Sequence, residues 1–146
     1  MKISGTQTFK ASCQQVFEAI LDPDVLKVSL PGCNQVAYLD PTHIQANLIP
    51  LIGPKQPYTV VIQIAKREEP SHLVLRIQHK DQGGSIHAEA QITLRDVADG
   101  TQLFYDINAD LEGSLALANN FIGKGLLTSS LKSFFAGVEK SLSRVL

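Results

Sequence analysis

Hydrophobic and polar residues alternate along most of this chain, which is the pattern of β-strands with one buried face. Alternating runs predict a first strand at 2–11 and six more at 34–40, 43–50, 56–67, 72–81, 85–97 and 101–112. Turn residues separate the last six, among them Glu69-Pro70, Gly83-Gly84 and Asp99-Gly100. Because each run has one apolar and one polar side, together they predict an antiparallel sheet that is covered on one face only.

The parity of each run assigns its inward side chains. The inward sets are Tyr58, Val60, Ile62 and Ile64; Leu73, Leu75, Ile77 and His79; Ile86, Ala88, Ala90, Ile92 and Leu94; and Leu103, Tyr105, Ile107, Ala109 and Leu111. Asp99-Gly100 is a two-residue hairpin signal, and it predicts that Leu94 lies opposite Tyr105 and Ile92 opposite Ile107. The small residues Ala88, Ala90 and Ala109 leave space on the inward face.

Helical spacing appears in three places. Ser12 and Gln15 form a capping box for a first short helix, and Asp22-Pro23 begins a second one. A third, long helix is predicted over residues 114–146, where no proline interrupts the apolar spacing. Gly123 and Gly125 divide this helix into two apolar stripes that point in different directions: Leu117, Ala118, Phe121, Ile122 and Leu126 first, then Leu127, Leu131, Phe134, Phe135, Val138 and Leu142. A helix with two stripes covers something different at each end.

These elements predict one α+β domain over residues 1–146 with a helix-grip fold. In this fold a curved seven-stranded antiparallel sheet wraps around a long C-terminal helix, and two short helices follow the first strand. The space above the small inward residues is either filled by Phe121 and its neighbours or left as a cavity, and the sequence keeps both alternatives open.

Composition narrows the classes of partner. With 13 basic and 14 acidic residues the formal net charge is −1 and no polybasic run occurs, so nucleic acid is not expected as a partner. The N-terminal residues are mostly polar or small, unlike a signal peptide, and no apolar run has the length of a membrane span, so a cytoplasmic location is expected. Cys13 and Cys33 are better interpreted as reduced thiols than as a disulfide. No metal-ligand spacing appears, and no cofactor or metal is expected.

Several segments along the whole chain resemble the CoxG-like family, which takes its name from the CoxG subunit of carbon monoxide dehydrogenase and falls within the helix-grip superfamily of START domains and polyketide cyclases. The most specific is Leu30-Pro31-Gly32-Cys33, which follows an Asp-Pro helix. The others are residues 1–5, 16–26, 52–54 and 99–101. The resemblance implies that a lipophilic molecule, such as a lipid or a quinone, binds between the sheet and the long helix. It also implies an accessory role beside a molybdenum-containing hydroxylase, such as carbon monoxide dehydrogenase, in membrane recruitment or quinone handling.

Parity then selects the candidate ligand-binding residues. We expect a hydrophobic small molecule to be held, without chemical conversion and with no catalytic residue, by Ile62, Ile64, Leu75, Ile77, Ala88, Ala90, Ile92, Tyr105, Ile107, Leu117 and Phe121, with Tyr58 and His79 as polar tips. His79 is the only histidine whose parity points inward, and a solvated strand-end histidine is the commoner alternative.

The sequence is also compatible with other functions. One is a cyclase or dehydratase that uses His79 or Tyr105 as acid or base, and another is a protein–protein adaptor with a filled cavity that docks through the outer face of the sheet. Lys124, Lys132 and Arg144 form a thin basic line on the long helix, which favours a solvated face over weak peripheral contact with the inner face of the membrane.

Overall fold

The computed structural model describes residues 1–49, 57–81, 84–113 and 121–145. The elements follow the predicted order and confirm the α+β class: β1 (Lys2–Phe9), α1 (Cys13–Ile20), α2 (Pro23–Ser29), β2 (Cys33–Asp40), β3 (His43–Leu48), β4 (Tyr58–Glu68), β5 (His72–Asp81), β6 (Gly84–Val97), β7 (Gly100–Gly113) and α3 (Phe121–Val145). The predicted long helix included 114–120 and Leu146, which lie outside the described residues.

All seven strands form one antiparallel sheet in the order β1-β7-β6-β5-β4-β3-β2. The predicted division into an apolar and a polar face is confirmed. Leu73, Leu94 and Leu103 are buried on the apolar face. Arg76, His87 and Arg95 are exposed on the other face, where Arg76 pairs with Glu89 across β5 and β6. The sheet therefore curves around its apolar side, which is its concave face.

The hairpin between β6 and β7 corrects one prediction. Leu94 lies opposite Leu103 and Ile92 opposite Tyr105, so the predicted partners were wrong by two residues. The turn consists of Ala98 and Asp99, while Gly100 already pairs with Val97 as the first residue of β7. An even shift preserves parity, and the inward faces therefore stay as predicted.

The two short helices begin with the predicted caps. The Ser12 hydroxyl accepts a hydrogen bond from the Gln15 N–H (3.1 Å), and the Gln15 side chain accepts one from the Ser12 N–H (3.0 Å). The Asp22 carboxylate accepts a hydrogen bond from the Asp24 N–H at the start of α2. After α2, Gly32 adopts a φ of 74°, and its carbonyl oxygen accepts a hydrogen bond from the Ile49 N–H (2.9 Å). The Leu-Pro-Gly-Cys turn thus needs glycine because its backbone is left-handed there.

The second apolar stripe of α3 packs against the concave face, as predicted. Phe135, Val138 and Leu142 are buried, and the Phe135 ring lies 5.3 Å from the Tyr105 ring and 6.2 Å from the Phe9 ring, centroid to centroid. Leu127, Leu131 and Phe134 are half-buried against the same core. The predicted first stripe falls on residues whose side chains lie outside the described part of the structure.

A close contact between α2 and α3 carries one prediction. A Cβ on Gly137 would lie only 2.9 Å from the Ser29 Cα, and the buried Ser29 hydroxyl has no hydrogen-bond partner in the described part of the chain. Replacing this hydroxyl removes an unsatisfied polar group, so we expect Ser29→Ala to raise the free energy of unfolding by up to about 1 kcal/mol. Gly137→Ala, in contrast, should lower it by about 1–3 kcal/mol through overpacking. Urea unfolding measures both changes, and a destabilised Ser29→Ala would show that the hydroxyl is hydrogen-bonded.

Candidate ligand-binding site

The concave face of the sheet has two differently covered parts. At one end, Leu73, Leu94 and Leu103 are at most 3% exposed. Here the C-terminal half of α3 contributes Phe135 and Val138, and the side chains close against each other. This end is a packed core.

The other end of the concave face is only half-buried. Its half-buried inward residues on the adjacent strands β5, β6 and β7 form one contiguous set around the buried Ala90 and Ala109. We name this set the half-buried patch: Leu75, Ile77, His79, Ile86, Ala88 and Ile107. The strand register makes the set contiguous, since Ile77 lies opposite Ala88 and His79 opposite Ile86. Five of its six residues are apolar. Such a surface loses contact with water when an apolar molecule covers it.

Tyr58 and His79 lie together where β4 and β5 separate. The pairing of these strands runs from Glu68–His72 to Val61–Gln78, while β5 continues along β6 as far as Asp81. The rings of Tyr58 and His79 meet edge to face with centroids 5.2 Å apart. The His79 Nδ1 lies 2.5 Å from the Thr59 carbonyl oxygen. Burial raises the pKa of the Tyr58 hydroxyl, which stays neutral and makes no hydrogen bond with the described part of the chain.

The predicted site residues therefore fall into three groups. Leu75, Ile77, His79, Ala88 and Ile107 lie in the half-buried patch, with Tyr58 beside them. Ile62, Ile64, Ala90, Ile92 and Tyr105 share the concave face but are buried. Leu117 lies outside the described residues, and Phe121 begins α3 with a side chain that is not described.

The prediction omitted Ile86, although its parity had already placed it on the inward face opposite His79. It also omitted Leu127 and Leu131, the half-buried apolar residues of α3 that pack against the core. Their helical spacing was visible in the sequence. The sequence did not show how far each part of the concave face is covered, because that depends on how α3 lies on the sheet.

The other potentially reactive side chains lie apart from one another. His79 pairs with Ile86 and Tyr105 with Ile92, which are six residues apart on β6, or about 20 Å at strand spacing. The two therefore cannot act on one reacting atom. Cys13 is buried and Cys33 half-buried, both are free thiols, and burial raises the pKa of each. Within the described ranges, no group of three or more metal-binding side chains occurs.

An open depression of about 620 Å³ lies next to Tyr58, where α2 meets β2, β3 and β4. Most of its wall is polar and comes from Lys27, Asn34, Gln35, Asn47 and Thr59. Thr59 donates to the Asn47 side chain, which in turn donates to Gln35. Thr59, Asn47 and Gln35 thus satisfy one another's polar groups. The depression adjoins the half-buried patch at Tyr58.

The described residues contain no helix long and apolar enough to cross a bilayer. Lys132 is exposed on α3, while the side chains of Lys124 and Arg144 are not described.

Comparison with known proteins identifies the class of protein that this sheet, helix and concave face define. The family model for the CoxG subunit of carbon monoxide dehydrogenase matches residues 5–143. The chain therefore belongs to the CoxG family, as the resemblance indicated. No curated protein matches the sequence significantly.

Solved structures confirm the fold over the whole chain. A conserved protein from Geobacillus kaustophilus is 24% identical, with a TM-score of 0.88 over 99% of this chain and 96% of that one. A protein from Chromobacterium violaceum is 20% identical, with a TM-score of 0.72 over 94% and 96%. A START superfamily protein from Mycobacterium smegmatis is 12% identical, with a TM-score of 0.77 over 99% of both chains. At these identities the likeness concerns the fold alone.

Proposed function

We propose that this protein binds an apolar small molecule, such as a lipid or a quinone-like compound, on the half-buried patch beneath α3 and holds it without chemical change. The observation that carries the proposal is the unequal cover of the concave face. One end is closed by Phe135 and Val138, whereas Leu75, Ile77 and Ile107 are half-buried. A bound molecule would complete the core at the second end.

The binding energy comes from removing apolar surface from water. Covering about 200 Å² of apolar surface contributes roughly 5 kcal/mol at 25 cal/mol per Å². Lost translational freedom of the ligand offsets part of this gain. Tyr58 and His79 supply polar contacts that orient the ligand at the end of the patch. This division between an apolar wall and a few polar groups is typical of carrier sites.

A space-filling substitution tests the proposal. Ala88 lies opposite Ile77 and Ala109 in the middle of the patch, so Ala88→Leu places a larger side chain where the ligand would lie. We expect it to weaken binding of the neutral fluorescent probe N-phenyl-1-naphthylamine at least tenfold, with a melting temperature equal to or above that of the wild type. Fluorescence titration measures the affinity.

Two matched variants control this experiment. Ala37→Leu adds the same atoms on the exposed edge strand β2 and should leave probe binding unchanged. Ala46→Leu adds them at a fully buried position and should lower stability by about 1–3 kcal/mol. The proposal fails if the probe binds the wild type and Ala88→Leu equally. Mass spectrometry of the protein purified from its own host under non-denaturing conditions would identify the natural ligand.

Membership of the CoxG family supports a second part of the proposal. We place the protein in the cytoplasm, as an accessory or carrier for a molybdenum-containing hydroxylase such as carbon monoxide dehydrogenase, with weak peripheral contact to the inner membrane face. Affinity purification of the tagged protein from its host should recover a molybdenum-containing enzyme. Recovery without any such enzyme would refute the partnership and leave ligand binding untouched.

A further inference from the structure

The strand register arranges the inward side chains around the half-buried patch in rows across β5, β6 and β7. From the middle of the sheet outward the rows are Leu75–Ala90–Ile107, Ile77–Ala88–Ala109 and His79–Ile86. In the first two rows the middle strand β6 contributes only an alanine, and Ala109 beside Ala88 is a third. Small residues between larger ones form a shallow trough that runs along β6.

The trough has the width of one hydrocarbon chain. Leu75 and Ile107 flank Ala90 from the two neighbouring strands. Since adjacent strands lie about 4.8 Å apart, these two residues are about 10 Å apart across β6. Carbon atoms in van der Waals contact lie about 4 Å apart. One chain therefore fits between the two side chains, whereas two chains side by side do not.

A pair of aromatic rings closes one end of the trough. The next row of the sheet is Leu73–Ile92–Tyr105, and its three residues are at most 9% exposed. The Tyr105 ring lies 5.3 Å from the Phe135 ring of α3, centroid to centroid. Tyr105 also lies over Gly5, its partner on β1, where a Cβ would overlap the tyrosine hydroxyl. This end wall thus joins the sheet to the helix, and packing on both sides holds it in place.

The register also gives the length of the trough. Leu73 and His79, at its two ends, are six residues apart on β5, or about 20 Å at strand spacing. The side chains of the two end rows each take up roughly 3.5 Å of this distance at van der Waals contact. An extended hydrocarbon chain advances about 1.25 Å per carbon atom, given its bond lengths and angles. About ten carbon atoms therefore fit between the end wall and His79.

We infer that the site takes one slender apolar segment of about ten carbon atoms, which lies along β6 with its tip against Tyr105 and Phe135. Its polar end lies at Tyr58 and His79, and any longer part of the molecule stays beyond His79. The two rings of the end wall set the length that can be buried, and the width of the trough selects a single chain or a narrow ring system. This inference rests on the proposed function and specifies the shape of its ligand.

A homologous series of primary alcohols measures this length. Hexanol, octanol, decanol, dodecanol and tetradecanol are titrated, below their solubility limits, against the protein loaded with N-phenyl-1-naphthylamine, and the loss of probe fluorescence gives their affinities. Each added methylene group should raise the affinity roughly fourfold as far as decanol, because it leaves water for the trough. Beyond decanol we expect the affinity to stay constant, since the further groups remain in water.

The outcomes separate the inference from the proposed function. A rise at the same slope through tetradecanol would overturn the inference and leave the proposed function standing, as would alcohols that fail to displace the bound probe. A wild type that binds neither the probe nor any alcohol would overturn the two together.

Three variants assign the length limit to the end wall. Phe135→Leu shortens the wall, so the affinity should rise as far as dodecanol. Ala90→Val adds two methyl groups to the floor beside the wall, so it should weaken decanol roughly tenfold, the effect of about two methylene groups, and leave hexanol almost unchanged. Ala37→Val adds the same atoms on the exposed strand β2 and should alter neither affinity. If Ala90→Val weakened both alcohols equally, the tip of the chain would not lie at the wall and the inference would fall.

Discussion

Gly100→Ala is expected to destabilise the protein by about 3 kcal/mol or more. Gly100 has a φ of 155°, a backbone conformation that residues with a side chain rarely adopt. A Cβ there would also overlap the carbonyl oxygen of Phe9. The obstacle is backbone, so no rotamer change relieves it. The added methyl group must push β1 away from the start of β7, where Phe9 pairs with Thr101. Thr101 is also buried and donates to the Ala11 carbonyl oxygen (2.7 Å), so its hydrogen bond would weaken as well.

Gly125→Ala is the matched control. Gly125 lies in α3, is exposed, and a Cβ there would meet no heavy atom within 4 Å. Because alanine favours helices more than glycine does, this change should raise the free energy of unfolding by about 0.5–1 kcal/mol. Urea denaturation followed by circular dichroism compares the two variants. If Gly100→Ala were as stable as the wild type, the β1–β7 contact would not be as close as described.

The error in the predicted β6–β7 register shows which features the sequence pattern can predict and which it cannot. Asp99-Gly100 looked like the two central residues of a hairpin turn, but the turn is Ala98-Asp99 and Gly100 belongs to β7. The glycine is needed for the close passage of Phe9, a contact that joins residues distant in sequence. Local turn preferences cannot reveal such a contact. The inward faces were still correct, since parity depends on alternation within each strand.

The sequence predicted which side chains of the candidate site point inward, but not which of them are buried by other residues. Parity identified His79 and Ala88 as inward residues, and both lie in the half-buried patch. Parity gave Tyr105 the same rank, although it is buried against Phe135 at the closed end. The difference arises from the position of α3 on the sheet, which tertiary packing determines. The end of the β4–β5 ladder, beyond which the His79 Nδ1 meets the Thr59 carbonyl oxygen, is likewise a property of the folded sheet.

Phe135→Ala tests this division of the concave face. The ring of Phe135 is 4% exposed and contacts those of Phe9, Tyr105 and Phe134 at centroid distances of 5.3–6.2 Å. Its removal leaves a cavity that the strands cannot close, so we expect a loss of about 3–5 kcal/mol in the free energy of unfolding. Chemical denaturation at equilibrium measures it.

Phe134→Ala, one residue earlier on the same helix, makes the comparison decisive. Phe134 is half-buried and its ring lies beside that of Phe135, so its truncation should cost clearly less, about 1–2 kcal/mol. The two variants have the same composition and differ only in which of the two neighbouring phenylalanine rings of α3 is removed. If Phe134→Ala proved as destabilising as Phe135→Ala, the helix would be rotated on the sheet. The closed and half-buried ends of the concave face would then have to be reassigned.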